Sequence, residues 1–254
     1  MNNSSLYYKL IPFKGKSDNV LVFLHGFLET HQIWYHLPLS QLERPILLID
    51  IPGFGKSALQ DDNNPSIYYY ALEVCNLISN LSITSYQVVG HSMGGYVGLE
   101  MLQIDERMEK LILLNSNFWT DSNQKKVDRT RVAEILIKSK ELLINEAIPN
   151  LFIDKLKHLE TIKTLVEEAK QGIGEWYAYA SLAMRNRTDY SEYVAKNPHK
   201  IGIIQGEQDT LIPTEIMLEK IQDILPVHVV EASGHMSLFE RPEEVITLLQ
   251  HELN

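Results

Sequence analysis

Short hydrophobic runs alternate along the chain with longer segments in which apolar and polar residues mix. The runs are apolar at consecutive positions, which is typical of strands buried beneath helices on both faces of a sheet. The mixed segments repeat their apolar positions with the period of a helix. This alternation predicts an α/β protein with a mostly parallel central sheet flanked by helices. Strands are predicted over 20–24, 45–49, 86–89, 111–114, 201–204 and 227–230, and helices over 66–81, 93–103, 214–225 and 242–253.

The region from Phe118 to Lys196 interrupts this alternation because it contains helical patterns and no convincing strand. Its charges nearly balance, with a net charge of +1 against −11 for the remainder of the chain. We therefore expect residues 118–196 to form a helical cap, or lid, inserted between two late strands of a core domain made of 1–117 and 197–254. An ordinary pair of crossover helices is the alternative, although crossovers of this length without a strand are uncommon. Within the region, helices are predicted over 131–143, 153–168 and 175–184.

The strongest local motif is Gly90-His91-Ser92-Met93-Gly94, which lies directly between a predicted strand and a predicted helix. A serine in such a turn is held in a strained conformation that projects its hydroxyl above the edge of the sheet. The flanking glycines leave room for the turn and for a substrate. The free N–H groups of the helix N-terminus would stabilise an oxyanion. Ser92 is therefore the candidate nucleophile, with an incidental serine in a glycine-rich turn as the alternative.

A serine is a weak nucleophile unless a base accepts its proton. Among nine histidines, His235 lies in the loop between the last predicted strand and the last predicted helix, at the carboxyl edge of the sheet. The base in turn needs an acid that holds its tautomer. Asp209 follows the preceding strand at the same edge, Glu207 is a weaker candidate, and the loop after the fourth predicted strand has no carboxylate before Asp121. We therefore predict a catalytic triad of Ser92, Asp209 and His235.

An oxyanion hole requires two N–H donors. The backbone of Met93, directly after Ser92, is predicted to supply one, and the backbone of Phe27, in the loop after the first predicted strand, the other. The side chain of His91 is adjacent to the nucleophile but is expected to point elsewhere. Residues near the strand ends and in the cap are candidates for the substrate pocket, with packing of the cap on the core as the alternative. These pocket candidates are Phe118, Trp119, Trp176 and Arg185.

Composition narrows the range of partners. The chain carries 33 acidic and 23 basic residues, a net charge of −10, and so acidic a surface repels nucleic acids and anionic membranes. Its longest apolar runs are too short to cross a bilayer, and residues 1–13 lack the apolar stretch of a signal peptide. The single cysteine, Cys75, cannot form an internal disulfide, and no metal-ligand or dinucleotide motif is found. We expect a cytoplasmic protein that acts on a small molecule without metal or cofactor, with its oligomeric state left open.

Five blocks of sequence resemble, in order along the chain, the motifs of the α/β-hydrolase superfamily, in its branch of small single-domain serine hydrolases and esterases with a helical cap. The resemblance implies the α/β-hydrolase fold. It also implies cleavage of a small-molecule carboxylic ester, thioester or lactone through the Ser-His-Asp triad and an acyl-enzyme intermediate. It does not identify the substrate. The blocks are 20–27, 50–57, 90–95, 206–213 and 234–235.

Other functions are open within this resemblance. Haloalkane dehalogenases and epoxide hydrolases of the superfamily are excluded, because they use an aspartate where Ser92 stands. Relatives with the same triad hydrolyse carbon–carbon bonds, and a menaquinone-pathway synthase uses it as a lyase on an anionic substrate. A non-catalytic small-molecule receptor on the same scaffold is a further alternative. A lyase of that kind would need cations near the nucleophile, and the candidates, which could equally form ion pairs on helix surfaces, are Arg129, Arg131, Arg185 and Arg187.

Overall fold

The computed structural model describes residues 6–15, 17, 19–60 and 64–253. In these residues, seven strands form one sheet: β1 (Tyr8–Ile11), β2 (Asn19–Leu24), β3 (Ile46–Ile49), β4 (Ser85–His91), β5 (Met108–Leu114), β6 (Ile201–Gly206) and β7 (Val227–Val230). Their spatial order is β1-β3-β2-β4-β5-β6-β7, and all neighbours are parallel except β1, which runs antiparallel to β3. The predicted mostly parallel sheet is thus confirmed.

The sequence pattern misses β1. Within the described residues this strand pairs only with β3, at the edge of the sheet, and Tyr8, Lys9 and Leu10 are exposed. An edge strand that buries neither face needs no continuous apolar run, so the pattern that identifies the central strands is absent. The central strands β3 and β6, by contrast, are buried along their whole length.

Helices cover the sheet, and their bounds follow from local signals. Helix α1 (Ile67–Asn80) begins after Ser66, whose hydroxyl accepts a hydrogen bond from the N–H of Tyr69 at 3.2 Å. The helix predicted over 214–225 ends earlier, at Ile221, because Gln222 and Asp223 adopt positive φ values of 44° and 63°. These flanking helices are α1 (Ile67–Asn80), α2 (Met93–Ile104), α7 (Thr214–Ile221), α8 (Ser237–Glu240) and α9 (Pro242–Leu253).

Residues 118–196, here called the helical segment, join β5 to β6. They contain α3 (Asn123–Ala147), α4 (Leu159–Lys170), α5 (Gly174–Arg185) and α6 (Ser191–Lys196), and no strand lies among them. Helix α3 is longer than predicted and is broken at Ser139, where φ is −157° and ψ is 53°. Helix α4 starts later than predicted. Short 3-10 helices also occur at His31–His36, Leu39–Leu42, Ile148–Leu151 and Pro198–Lys200.

The helical segment contacts loops that follow several parallel strands. The ring of Tyr177 lies 6.1 Å from that of Phe27, in the loop after β2. The N–H of Ile153 donates to Glu240 Oε1 at 2.8 Å, in the helix that follows the loop after β7. Because the carboxyl ends of parallel strands meet at one edge, these contacts place the segment at the carboxyl edge of the sheet.

No helix in the described part of the chain combines the length and apolar character needed to cross a membrane.

Candidate active site

Ser92 occupies the turn between β4 and α2 with φ 49° and ψ −115°, in a region that residues other than glycine seldom adopt. The glycines around it are needed for space. A β-carbon at Gly94 would collide with the carbonyl oxygen of Leu24, and one at Gly90 would lie 2.5 Å from the backbone nitrogen of Gly95. The turn is therefore the tight strand-to-helix elbow that the motif predicts.

The structure brings the three predicted catalytic side chains into one hydrogen-bonded chain. His235 Nε2 lies 2.9 Å from Ser92 Oγ, and His235 Nδ1 lies 2.8 Å from Asp209 Oδ2. Because an ionised carboxylate only accepts hydrogen bonds, Nδ1 carries the proton and Nε2 is left to accept from the serine hydroxyl. His235 and Asp209 are buried, whereas Ser92 is half-buried. This arrangement can activate a serine for attack on a carbonyl carbon.

Asp209 receives donors on both carboxylate oxygens. The N–H groups of Leu211 and Ile212 donate to Oδ1 at 2.9 and 3.0 Å. The side-chain amides of Asn115 and Gln205 donate to Oδ2 at 3.0 and 3.2 Å, beside the bond to the histidine. These donors fix the orientation of the carboxylate.

The electrostatics of Asp209 suit its predicted role. Burial alone would raise the pKa of Asp209, but the charge and hydrogen bond of His235, together with the amide of Asn115 and the N–H of Ile212, outweigh burial and lower it. Asp209 is consequently ionised at neutral pH and can stabilise an imidazolium on His235.

Asn115 is a site residue that sequence reasoning missed. Besides its bond to Asp209, its amide donates to the carbonyl of Gly234 at 3.0 Å, and its oxygen accepts from the hydroxyl of Ser237. It thus ties the acid to the loop that carries His235. A search for carboxylates passes over an amide; the available signal was its position directly after β5, at the edge where the acid can also stand.

The weaker acid candidates have other partners. Glu207 Oε2 accepts from the N–H of Ala232 at 2.9 Å. Asp121 forms ion pairs with Arg129 and Arg187 at 3.2 and 2.8 Å. Neither carboxylate contacts His235 in the structure described, so Asp209 remains the candidate acid.

The two predicted oxyanion donors stand where the prediction requires them along the chain. Met93 is the first residue of α2, where backbone N–H groups have no partner within the helix. Phe27 lies in the loop after β2, and its ring contacts Phe54 and Tyr177. Within the described residues, neither N–H donates to a protein acceptor. Their joint role in binding an oxyanion stays a prediction.

His91 points away from the serine hydroxyl and into the protein. It is fully buried, with Nδ1 2.9 Å from Glu29 Oε2 and Nε2 3.0 Å from the carbonyl oxygen of His235. Glu29 is a second residue that sequence reasoning missed. No spacing rule joins it to a residue more than sixty positions away.

The predicted pocket residues have different contacts in the structure. Phe118 is buried and lines, with Tyr96 and Arg187, a cavity of about 10 Å³, which holds no more than a water molecule. The ring of Trp119 packs against that of Phe118, with centroids 5.1 Å apart. Trp176 packs over Gly53: a β-carbon added at Gly53 would lie 3.2 Å from the β-carbon of Trp176. The part played by each in substrate binding stays a prediction.

The four candidate arginines divide by environment. Arg129 and Arg187 share the carboxylate of Asp121, as noted above, and the Arg187 guanidinium also lies 4.4 Å from the centre of the Tyr96 ring. Arg185 donates to the hydroxyl of Thr130 at 3.0 Å, and Arg131 is exposed. Structural ion pairing accounts for Arg129 and Arg187, which weakens the case for an anion-binding cluster.

One group of side chains in the described residues has donor atoms close enough to hold a metal ion. His228, His251 and Glu252 place one atom each within 4.8 Å of one another. Glu252 already accepts from His228 at 2.7 Å and from Lys110 at 2.8 Å. An ion pair and a hydrogen bond therefore explain the group without an ion, and the lysine charge opposes one.

The fold and the hydrogen-bonded serine, histidine and aspartate define the class of α/β-hydrolases. A model of the alpha/beta hydrolase family matches residues 21–248, and the chain belongs to this family.

The chain is 27% identical over 257 residues to an uncharacterized hydrolase, YugF, of Bacillus subtilis (strain 168), covering 94% of this chain and 90% of that protein. Among solved structures, a thermophilic esterase from Thermogutta terrifontis superposes with a TM-score of 0.87 at 23% identity, covering 98% of this chain and 92% of that one. An enol-lactonase from Burkholderia xenovorans LB400 superposes with a TM-score of 0.84 at 19% identity, covering 98% of this chain and 96% of that one. Family membership supports hydrolase activity, and the two structures support the fold.

Proposed function

We propose that this protein is a serine hydrolase that cleaves a small-molecule carboxylic ester, thioester or lactone. The observation that carries the proposal is the continuous hydrogen-bonded chain from Ser92 Oγ through His235 to Asp209, with distances of 2.9 and 2.8 Å. The likeness to an esterase and to an enol-lactonase agrees with this choice of bond.

The mechanism follows from the positions of the protons. Ser92 Oγ attacks the carbonyl carbon while His235 Nε2 takes its proton, and Asp209 stabilises the imidazolium that forms. The N–H groups of Phe27 and Met93 bind the oxyanion. His235 then gives its proton to the leaving oxygen or sulfur, which leaves the acyl group on Ser92. In the second half, His235 takes a proton from water, which attacks the acyl-enzyme. The bond from the carbonyl carbon to Ser92 Oγ then breaks, His235 returns the proton to Oγ, and the acid is released.

We further propose that the helical segment acts as a cap over the nucleophile. Its support is the set of contacts made by Tyr177 and Ile153 with the loops at the carboxyl edge. In this role, α5 and the turn before α4 would bound the space available to the acyl group. The cytoplasmic location and the small-molecule substrate expected from the sequence belong to the same proposal.

Hydrolysis of p-nitrophenyl esters from acetate to dodecanoate, by wild type and Ser92→Ala, tests the function. We expect turnover by the wild type and, because the nucleophile is lost, a fall in kcat of at least about 10³-fold in the variant. Unchanged thermal unfolding of Ser92→Ala is the control for folding. The preferred chain length gives the depth of the acyl site.

Two outcomes would overturn the proposal. Substantial turnover by folded Ser92→Ala would mean that Ser92 is not the nucleophile. No turnover of any ester, thioester or lactone by the folded wild type would favour carbon–carbon hydrolysis, the lyase reaction or a receptor role.

A further inference from the structure

Glu29 and His91 form a buried pair directly behind the proposed triad. Glu29 lies in the loop after β2 and is 6% exposed, while His91 ends β4 and is 0% exposed. His91 reaches the carboxylate with Nδ1 (2.9 Å) and the carbonyl oxygen of His235 with Nε2 (3.0 Å). The same carboxylate oxygen, Glu29 Oε2, also accepts the N–H of Gly26 at 2.5 Å.

The hydrogen-bond partners determine where the protons are. A carbonyl oxygen and an ionised carboxylate accept hydrogen bonds and cannot donate them. With Glu29 ionised, as its lowered pKa indicates, both ring nitrogens of His91 face acceptors, so both carry a proton and the ring is an imidazolium. Because the charge is buried, it requires the opposite charge of Glu29 beside it.

His25 provides an internal contrast in the same core. Its Nδ1 lies 2.8 Å from the carbonyl of Gly26, but its Nε2 accepts from the N–H of Ile51 at 3.0 Å. One nitrogen donates and the other accepts, so His25 is a neutral imidazole. Two buried histidines, one directly after β2 and one at the end of the neighbouring β4, therefore differ in charge because of their partners alone.

We propose that His91 is a positioning residue that is protonated at neutral pH: with Glu29, it holds the backbone of His235 and the loop at Gly26 in register for catalysis. The inference rests on the proposed hydrolase function. It assigns a task to the histidine beside the nucleophile, which the mechanism does not use. His91 touches no reacting atom; it acts through the backbone of the base and the loop that carries the oxyanion donor Phe27.

The surrounding charges agree with this assignment. Burial alone would lower the pKa of His91, but the charge and hydrogen bond of Glu29 and the bond to the His235 carbonyl raise it overall. Burial alone would raise the pKa of Glu29, but His91 lowers it. Among the described residues, other titratable groups also face the pair: the ring of His235 lies 5.1 Å from that of His91, Asp209 favours the cation, and the neutral His25 is near Glu29.

Loss of the His91 proton has a structural consequence. A neutral ring can donate to Glu29 or to the His235 carbonyl, but not to both. Where the proton is missing, a nitrogen lone pair faces an oxygen lone pair and the two repel each other. If Nε2 loses the proton, the loop of His235 is pushed away; if Nδ1 loses it, Glu29 moves and the loop of Gly26 is released. Activity should therefore fall at alkaline pH as His91 deprotonates.

Glu29→Gln tests the pair, because glutamine keeps the shape but removes the charge that holds the second proton. We expect kcat on a p-nitrophenyl ester to fall about 10- to 100-fold with little change in KM, since misplacement of catalytic groups affects the chemical step. We also expect the alkaline limb of the kcat profile to move to lower pH. Glu252→Gln is the matched control. It alters another histidine–carboxylate pair, with His228, outside the site, and should change neither quantity.

The nitrogen NMR spectrum of the histidine rings, assigned with His91→Gln and His25→Gln, tests the protonation state in the wild type directly. We expect both nitrogens of His91 to be protonated at neutral pH and only one of His25. A neutral His91, or a Glu29→Gln profile with an unmoved alkaline limb, would overturn the inference. Because the NMR measurement needs no turnover, it stands even if the wild type hydrolyses no ester, a result that would count against the proposed function alone.

Discussion

At the scale of single residues, the site depends on how completely each buried charge is hydrogen-bonded. Asp209 holds its charge because backbone and side-chain amides donate to both oxygens and His235 lies beside it. Asn115 is the donor that also reaches the loop of the base, through the carbonyl of Gly234. A residue with no chemistry of its own thus connects the acid to the base.

Replacing Asn115 with Ala should raise the pKa of Asp209 towards its ordinary value, because a donor to the ionised form is lost. It should also lower the free energy of unfolding by about 1–3 kcal/mol, since a buried acceptor is left without its partner. Urea unfolding of both proteins measures the loss. Asn197→Ala, which removes one bond to the carbonyl of Tyr193 in a half-buried position, is the control and should lose less. Equal losses would contradict the special role of Asn115.

At the scale of elements, the elbow requires α2 to start directly against the strands of the sheet. Gly94 lies at this contact, where a β-carbon would meet the backbone carbonyl of Leu24. Gly98, one turn later in the same helix, faces the side chain of Leu111 instead. A backbone carbonyl in a central strand cannot move aside, whereas a leucine methyl group can.

Gly94→Ala and Gly98→Ala therefore form a matched pair within one helix. We expect Gly94→Ala to lose more than about 2 kcal/mol of unfolding free energy and most of its esterase activity, as steric strain at a special backbone position does. Gly98→Ala should lose less unfolding free energy, because the higher helix propensity of alanine partly offsets the strain. Thermal unfolding and kcat are the readouts. A milder effect at Gly94 than at Gly98 would show that the elbow is less constrained than its geometry indicates.

The burial of each strand and helix determines whether the sequence pattern could predict it. Buried parallel strands require continuous apolar runs, so every central strand was predictable, whereas the exposed edge strand β1 carries no such pattern. Helix α4 begins at Leu159 rather than 153 because the preceding residues are used otherwise: the N–H of Ile153 bonds Glu240, and Asp154 accepts from Lys157. That competition depends on tertiary contacts, which periodicity does not contain.

The residues of the candidate site also fall into those that the sequence could predict and those that it could not. Motif context and strand ends predict Ser92, Asp209 and His235, because their chemistry is local to each loop. Glu29 and Asn115 have roles only through neighbours that are distant in sequence. The position of Asn115 directly after β5 is its only signal in the sequence, and Glu29 has none.

At the scale of the whole molecule, the acidic chain keeps several carboxylates ionised inside the fold. In each of them burial alone would raise the pKa, but a cationic or hydrogen-bonding partner lowers it overall. These groups are Glu29, Asp50, Asp105, Asp121, Asp209 and Glu252. Burial raises the pKa of Glu168 instead, so that group acts in the opposite direction.

The stability should consequently fall in acid. A carboxylate with a lowered pKa in the folded state contributes stability that is complete above its unfolded pKa, 3.8 for Asp and 4.5 for Glu, and is lost as the pH falls through the folded pKa. Burial lowers the pKa of His25 below 6.5, so the contribution of His25 to stability starts to decline once the pH falls below 6.5. Urea unfolding from pH about 7 to about 3.5 should give a mild decrease and then a steep one. A constant unfolding free energy across this range would contradict it.

The proposed function depends on Ser92 being a nucleophile activated by His235 and Asp209. The most direct measurement is stoichiometric reaction with diethyl p-nitrophenyl phosphate, followed by release of p-nitrophenolate and peptide mass spectrometry. The serine oxygen attacks phosphorus, His235 takes the proton, and p-nitrophenolate leaves. We expect release of one equivalent of p-nitrophenolate, a diethylphosphoryl group on Ser92, and much slower reaction in His235→Ala. Modification of another residue, or none in the folded wild type, would contradict it.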